Sequence, residues 1–428
     1  MRMNFKSLLF LALLFPLLCS CRSGKNEVKV MTDQEILNLI KMNKPMGGKE
    51  VPADMYKRLG ATHVAGKYYF TEEPYIIEGC RKMNEMGYGI IKLWFNKGVG
   101  GYYYNSEWNL PKEFTYKQLA EHPYYKSCFE MPFTTIALSL GGAGVNTTDE
   151  TALAEEAEAY ELTKYLLETY KNRDVEFILH NWEGDWIMRG GTGDYARWAR
   201  NAGELIKAVD GDRQTVLVPA DSTQRVQSMV KWFNARQNGV ERARAEVKDT
   251  KCRVYHAVEA NKVIDSMDGI PGIINSVLPQ VRVDMVSWSC YDALNTKGLD
   301  DGLLLYKGID FIKENFTPST YMKGAKKVFL GEIGIPEQRY DGLLTEEPIA
   351  ANWDTYVAVC LAQDVPYIIQ WELYCNEPKN EELRKLDEVR KTDEMRGFWL
   401  IRPDGTKSFA ANYFDKLLQN QGRKIIKN

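Results

Sequence analysis

Short apolar runs recur along this chain from residue 63 to residue 371, and the stretches between them carry apolar positions at helical spacing with charged residues opposite. Runs of the first kind read as strands buried on both faces, and stretches of the second kind read as amphipathic helices. Their alternation predicts a parallel α/β architecture. Nine strands are predicted: His63–Phe70, Gly89–Phe95, Thr134–Leu140, Val175–Leu179, Thr215–Ala220, Arg253–Val258, Met285–Ser289, Lys327–Leu330 and Tyr367–Trp371. The helices between and after them include Ile76–Met86, Glu150–Tyr170, Asp194–Val209, Val226–Val247, Ala351–Gln363 and Ala410–Leu418. Ahead of them, Thr32–Leu59 reads as one or two further helices, with Thr32 and Asp33 as good starts.

A closed (β/α)8 barrel has eight places for strands, so one candidate must lie outside it. Thr215–Ala220 is the one set aside, because dropping it puts Glu183 on strand four, Glu332 on strand seven and Trp371 on strand eight. No interdomain linker, low-complexity tract or fixed-period repeat follows residue 60, so residues 60–420 are expected to form a single catalytic domain with long βα loops. Residues 421–428 are left as a tail.

The first 20 residues read differently. Arg2 and Lys6 precede an apolar run from Leu8 to Leu18, the pattern of an export signal, and the run is too short to span a bilayer. Leu18-Cys19-Ser20-Cys21 resembles a bacterial lipobox, which implies a lipid on Cys21 and anchorage to the cell envelope, with the outer membrane as the expected location. Residues 21–59 would supply a tether and the leading helices. The other reading of the leader is cleavage and release.

Composition narrows the chemistry. A formal net charge of -3 with no basic stripe gives no indication of a nucleic-acid partner. The six cysteines beyond the leader form no C-x-x-C pair and fall within strand-like or helix-like runs, so buried free thiols are expected. Four histidines without H-x-x-x-H do not indicate zinc, and neither a metal nor an organic cofactor is called for. Aromatic residues make up 12% of the chain, and many stand at strand ends, where flat rings suit the apolar face of a sugar.

Two segments concentrate acids at such ends. Phe177–Trp186 reads F-I-L-H-N-W-E-G-D-W, an apolar strand that delivers Glu183 and Asp185 between Trp182 and Trp186. Apolar walls disfavour an ionised carboxyl and raise its pKa, which makes a general acid; the alternative is a loop whose acids cap the next helix. Lys327–Pro336 reads K-V-F-L-G-E-I-G-I-P, where Gly331 and Gly334 leave space around Glu332. Only a closed barrel brings Glu183 and Glu332 to one rim. One protonated and one ionised carboxyl facing each other are the apparatus of glycoside hydrolysis.

With these segments the chain resembles the clan A glycoside hydrolases, (β/α)8 barrels with an acid/base Glu ending strand four and a nucleophile Glu ending strand seven. The resemblance implies Asn181 and Glu183 as the strand-four pair, Glu332 as nucleophile, Trp371 of I-I-Q-W as the floor of the sugar site and Tyr291 of S-W-S-C-Y as the hydrogen-bond partner of the nucleophile. Lys92 of I-I-K-L-W-F stands near the usual strand-two Arg. Three departures accompany it. Trp182 separates Asn181 from Glu183, which are adjacent in the clan, so a bulge or a change of register is needed and Asp185 remains the reserve acid. Lys replaces Arg at 92, losing bidentate geometry, and Ser289 stands where the clan has a strand-six His.

The implied activity is a retaining hydrolase of β-linked glycans, with Asn181 on the 2-hydroxyl and Trp94, Trp182 and Trp371 among the substrate contacts. Glu259 and Asn261 of H-A-V-E-A-N end the fifth strand and are further candidates for sugar hydroxyls, the other reading being a salt bridge within the loop layer; Tyr102, Tyr104 and Trp108 are either ring platforms or ordinary packing of their loop on the barrel, the latter being the stronger expectation. The rival expectation is a lipid-anchored glycan-binding protein that kept the barrel and lost turnover.

Overall fold

The computed structural model describes residues 31–101, 108–191, 205–208, 216–339, 342–343 and 345–419. Eight parallel strands close into a barrel: β1 Leu59–His63, β2 Ile90–Trp94, β3 Thr135–Ser139, β4 Glu176–His180, β5 Arg253–Ala260, β6 Met285–Ser289, β7 Lys327–Ile333 and β8 Ile368–Gln370. Each pairs with its sequence neighbours, and β1 closes on β8 with Leu59 opposite Ile368. Almost every strand residue is buried, as required of strands covered by helices outside and filled by side chains inside. Helices follow every strand, among them Tyr75–Glu85, Asp149–Thr169, Ser222–Glu246, Leu303–Asn315, Glu346–Ala362 and Phe409–Leu418.

Seven of the eight barrel strands lie where the apolar runs predict them. The first does not. Residues 59–63 (L-G-A-T-H) form β1, whereas all but the first residue of His63–Phe70 form the loop above it. The strand looks weak in sequence because Gly60 lies against β2: a Cβ there would sit 2.5 Å from Ile90 Cβ. The ring-rich loop packs instead on the end of the barrel, where the Tyr68 hydroxyl donates to Ile401 O at 2.6 Å and its ring meets Tyr374 at 5.4 Å.

The candidate set aside does fall outside the barrel. Val216–Pro219 pairs antiparallel with Leu205–Ala208 in a two-stranded ribbon. That ribbon overturns the end of the predicted helix Asp194–Val209; the beginning of that helix lies outside the described residues. The leading segment holds one helix, Asp33–Met42, capped by Thr32 and Glu35 reciprocally, and then short 3₁₀ turns rather than a second helix. Cys21, Tyr102 and Tyr104 also lie outside the described residues. All six described cysteines are buried and free.

Candidate active site

The rim formed by the strand ends gathers Lys92 from β2, Glu259 from β5, Ser287 from β6 and Glu332 from β7. A local irregularity aims Glu332. On β7, Leu330 faces Trp288 and Glu332 faces Ser289, so Gly331 is the extra residue of a bulge, and bulges re-aim the side chain that follows. Glu332 ends almost fully buried, with Lys92 Nζ 2.8 Å from its Oε1.

Lys92 has no exposed side-chain surface, and burying an ammonium ion is costly unless opposite charge and acceptors surround it. Here they do. Its Nζ reaches Glu332 Oε1, Gly331 O at 3.1 Å and Glu259 Oε2 at 3.4 Å. A compact ammonium bridges two carboxylates on different strands, a geometry that a planar guanidinium does not match. Burial pulls the Lys92 pKa down, but the charges of Glu259 and Glu332 more than offset it and leave it raised.

Glu183 arrives by another route. It lies three residues beyond β4 in the left-handed region, at φ 30°, and its N–H donates to Glu259 Oε1 at 3.0 Å. This turn, rather than a bulge within β4, accommodates the intervening Trp182. The Glu183 side chain is 8% exposed and makes no hydrogen bond or ion pair to any described residue. Burial, and then the nearby charges of Glu332 and Glu259, push its pKa up to about 9. For Glu332 burial also raises the pKa, to about 7, but Lys92 and the neighbouring Ser289 hydroxyl pull the other way. Both are carboxyls in a dry site, and the cation divides them: Glu183 keeps its proton while Glu332 is the first to ionise.

Glu259 is fully buried and belongs to this network rather than to the substrate surface. Burial pushes its pKa up, yet the charge of Lys92, the Ser287 hydroxyl at 2.7 Å and the Glu183 N–H together hold it below the usual carboxylate range. His180 Nδ1 lies 3.7 Å from Glu259 Oε2, and burial keeps that imidazole neutral with a pKa lowered to about 4.

Several predicted contacts are corrected. Asn181 is fully buried and clamps the Glu259 backbone: its Oδ1 accepts from Glu259 N at 2.9 Å and its Nδ2 donates to Glu259 O at 3.0 Å. Its Nδ2 also donates to Trp182 O at 3.4 Å, so both N–H groups are taken and none is left to donate to a 2-hydroxyl. Asp185, the reserve acid, is likewise fully buried and accepts from the backbone N–H groups of Asn261, Lys262 and Ile273 at 2.8–3.0 Å. Asn261 Oδ1 takes the Asp185 N–H in return at 3.1 Å. These two residues tie the loop after β4 to the loop after β5, and neither Asp185 as an acid nor Asn261 Oδ1 as a sugar acceptor fits that geometry. Trp108 is packed away, stacked on His122 at 4.5 Å.

Three indoles do gather at the mouth. Trp94 lies 6.0 Å from Trp371 and 6.3 Å from Trp182, ring centre to ring centre, and Trp182 is 37% exposed. Trp371 is fixed by its Nε1, which donates to Glu377 Oε1 at 3.0 Å, while Arg396 holds the other oxygen of that carboxylate. The Tyr291 hydroxyl is buried without a hydrogen-bond partner among the described residues. Burial and then the charge of Glu332 raise its pKa well above the ordinary value, so it remains a donor beside the nucleophile candidate, although the predicted bond is not formed.

Sequence reasoning missed Ser287 and Glu377. Ser287 was within reach: it stands two residues before Ser289 on β6, and a period of two places both on one face. Glu377 carried no local signal. Among the described residues no group of His, Cys, Asp and Glu side chains is arranged to hold a metal ion.

No protein-family model matches the chain, and no curated protein does. Solved structures do match. A GH5_18 protein from Bifidobacterium longum subsp. infantis is 12% identical, with 85% of this chain and 78% of that one covered and a TM-score of 0.50. A GH5_18 variant from Bifidobacterium longum subsp. longum in complex with Manβ1-4GlcNAc is 11% identical over the same shares, also with a TM-score of 0.50. A family 39 glycoside hydrolase from Bacteroides cellulosilyticus WH2 is 11% identical with a TM-score of 0.45, and the match spans 87% of this chain but only 65% of that one. At such identities the likeness is one of fold: this chain shares its closed (β/α)8 barrel with those two GH5_18 structures.

Proposed function

We propose that this protein is a retaining glycoside hydrolase acting on a β-linked glycan. The observation that carries the proposal is the unequal treatment of two buried carboxyls at the ends of β4 and β7: Lys92 lies 2.8 Å from Glu332, whereas among the described residues no cation is within hydrogen-bonding distance of Glu183. In this reading Glu332 attacks the anomeric carbon while Glu183 protonates the departing oxygen. The glycosyl–Glu332 ester then yields to a water molecule that Glu183, now ionised, deprotonates, and both groups return to their starting states. Lys92 holds Glu332 ionised for attack, the Tyr291 hydroxyl stays protonated nearby, and Trp94, Trp182 and Trp371 receive the sugar ring. No step calls for a metal or an organic cofactor.

Manβ1-4GlcNAc, the disaccharide bound in one of the similar structures, is the first substrate to offer, alongside aryl β-mannoside, β-glucoside and β-galactoside. Incubation with the matching 2-deoxy-2-fluoroglycoside should add one glycosyl mass to the peptide containing Glu332, and Glu332→Gln should abolish the adduct. Turnover without an adduct, giving product of inverted anomeric configuration, would replace retention with inversion. The sequestered Asn181 favours a second reading, a glycan-binding protein without turnover; binding that Glu332→Gln leaves unchanged, with no sugar released, would select it. We further propose export as a Cys21-lipidated envelope protein, which radiolabelled palmitate incorporation and its loss in Cys21→Ser would test.

A further inference from the structure

The carboxylate of Glu259 touches both halves of the site. Its Oε1 accepts the Glu183 N–H at 3.0 Å, and its Oε2 accepts from Ser287 Oγ at 2.7 Å and faces Lys92 Nζ at 3.4 Å, the same ammonium that holds Glu332. Room has been made for it. A Cβ on Gly331 would lie 2.5 Å from Glu259 Oε2 and 1.9 Å from Ser287 Oγ, and one on Gly184 would lie 2.6 Å from Glu259 O. Its own backbone is gripped from both sides by the Asn181 amide, so the side chain starts from a fixed point.

We infer that Glu259 is a positioning residue that joins the two glutamates: one oxygen sets the backbone of Glu183, the other sets Lys92 against Glu332, and its permanent negative charge acts on both. It makes no contact with substrate, being wholly enclosed. The inference rests on the hydrolase reading for what the two glutamates do, but the contacts themselves do not depend on it.

The charge has a direction. Glu259 opposes ionisation of Glu183 and of Glu332, while Lys92 favours it in both. The other titratable groups that bear on the pair are Lys262, which favours ionisation of Glu183, and Glu372 just after β8, whose own pKa is pushed well up by burial and then by nearby charges including that of Glu332; neutral His180, Ser287, Ser289 and Tyr291 complete the surroundings. Removing the Glu259 charge therefore lets both carboxyls ionise at lower pH. Removing the Lys92 charge does the reverse.

The test is a pH titration of the full chain labelled with carboxyl-¹³C glutamate, the two resonances being assigned by their loss in Glu183→Gln and Glu332→Gln. In Glu259→Gln, with its native unfolding transition confirmed, both should titrate at lower pH than in the parent, and both limbs of any pH–rate profile should move the same way. A merely structural role would lower activity and leave the titrations in place, and unmoved titrations in a folded Glu259→Gln protein would overturn the inference. Glu259→Asp keeps the charge but draws it back by one methylene; it should move the titrations in the same direction by less, and serves if the glutamine variant fails to fold. Shifted titrations in a protein that cleaves no glycoside would refute the hydrolase reading alone. Cleavage with unshifted titrations would refute this inference alone.

Discussion

Strand β4 carries a glutamate at each end of the barrel, and the two live in opposite conditions. Glu176, at the start of the strand, faces Arg253 Nε at 3.0 Å and accepts from the Tyr367 hydroxyl. It lines a depression of about 370 Å³ on the lower face, with Arg58, Asp174, Lys327 and Asp364 also around it, where acids and bases alternate and pair. Glu183, beyond the end of the same strand, is buried with no described partner for its carboxyl. Below, the glutamate is paired and stays charged; above, Glu183 is withheld from water, has no described partner and keeps its proton. A cavity rich in titratable groups is therefore not enough to mark a reactive site. What distinguishes the upper rim is the mismatch between burial and pairing, which shifts pKa values toward what acid–base work needs.

Mutation can break that contrast. The largest effect is expected above: Glu183→Gln should lower kcat on a glycoside by about 10² to 10⁴-fold, the usual worth of a general acid, and Glu332→Gln by at least as much. Steady-state kinetics would show it, and azide restoring turnover to Glu332→Ala would assign the nucleophile. The pH profile sharpens the same point. Activity should fall as pH drops through about 7, where Glu332 takes up a proton, and again as pH rises through about 9, where Glu183 loses the one it must donate. The limbs belong to the interacting pair, so substitution of either residue should move the other limb.

Next in size is stability. Lys92→Met strips the cation from a buried group of two carboxylates, and losses of about 3–5 kcal/mol are usual when one partner of such a group is removed. Denaturant unfolding would measure it. Trp182→Ala removes the most exposed of the three mouth indoles and should raise KM about fivefold with little change in kcat, in line with about 1 kcal/mol for an aromatic contact. The smallest effect belongs to the lower face. Glu176→Gln should leave kcat/KM within about twofold and cost about 1 kcal/mol or less, as partly exposed ion pairs do. A loss of activity there comparable to that of Glu183→Gln would erase the distinction between the two ends.

How much of this was legible beforehand depended on what carried the information. Strands β2 to β8 announced themselves because burial on both faces writes an uninterrupted apolar run. β1 did not, because its neighbour demands glycine at 60, and glycine has no hydrophobic signature. The acids Glu183 and Glu332 were visible from their places at strand ends. Their partners were not. That Lys92 bridges Glu259 and Glu332, or that Asn181 grips the backbone of β5, is decided by barrel closure between segments far apart in the chain. The resemblance that drew attention to Asn181 also misassigned it, since a residue type conveys what a side chain can bond to and not which of several partners is nearest. Asp185 and Glu183, two residues apart with similar neighbours in sequence, were separated only by the direction of a single left-handed residue.

That residue has a last consequence. Glu183 is secured through its peptide nitrogen, so neither oxygen of its carboxyl is engaged in keeping it in place. In the proposed retaining reaction this carboxyl gives a proton to the departing oxygen and later takes one from a water that stands in the same place, so it changes partners twice. Anchored through the main chain, it can turn about its side-chain bonds without surrendering any bond on which the architecture depends.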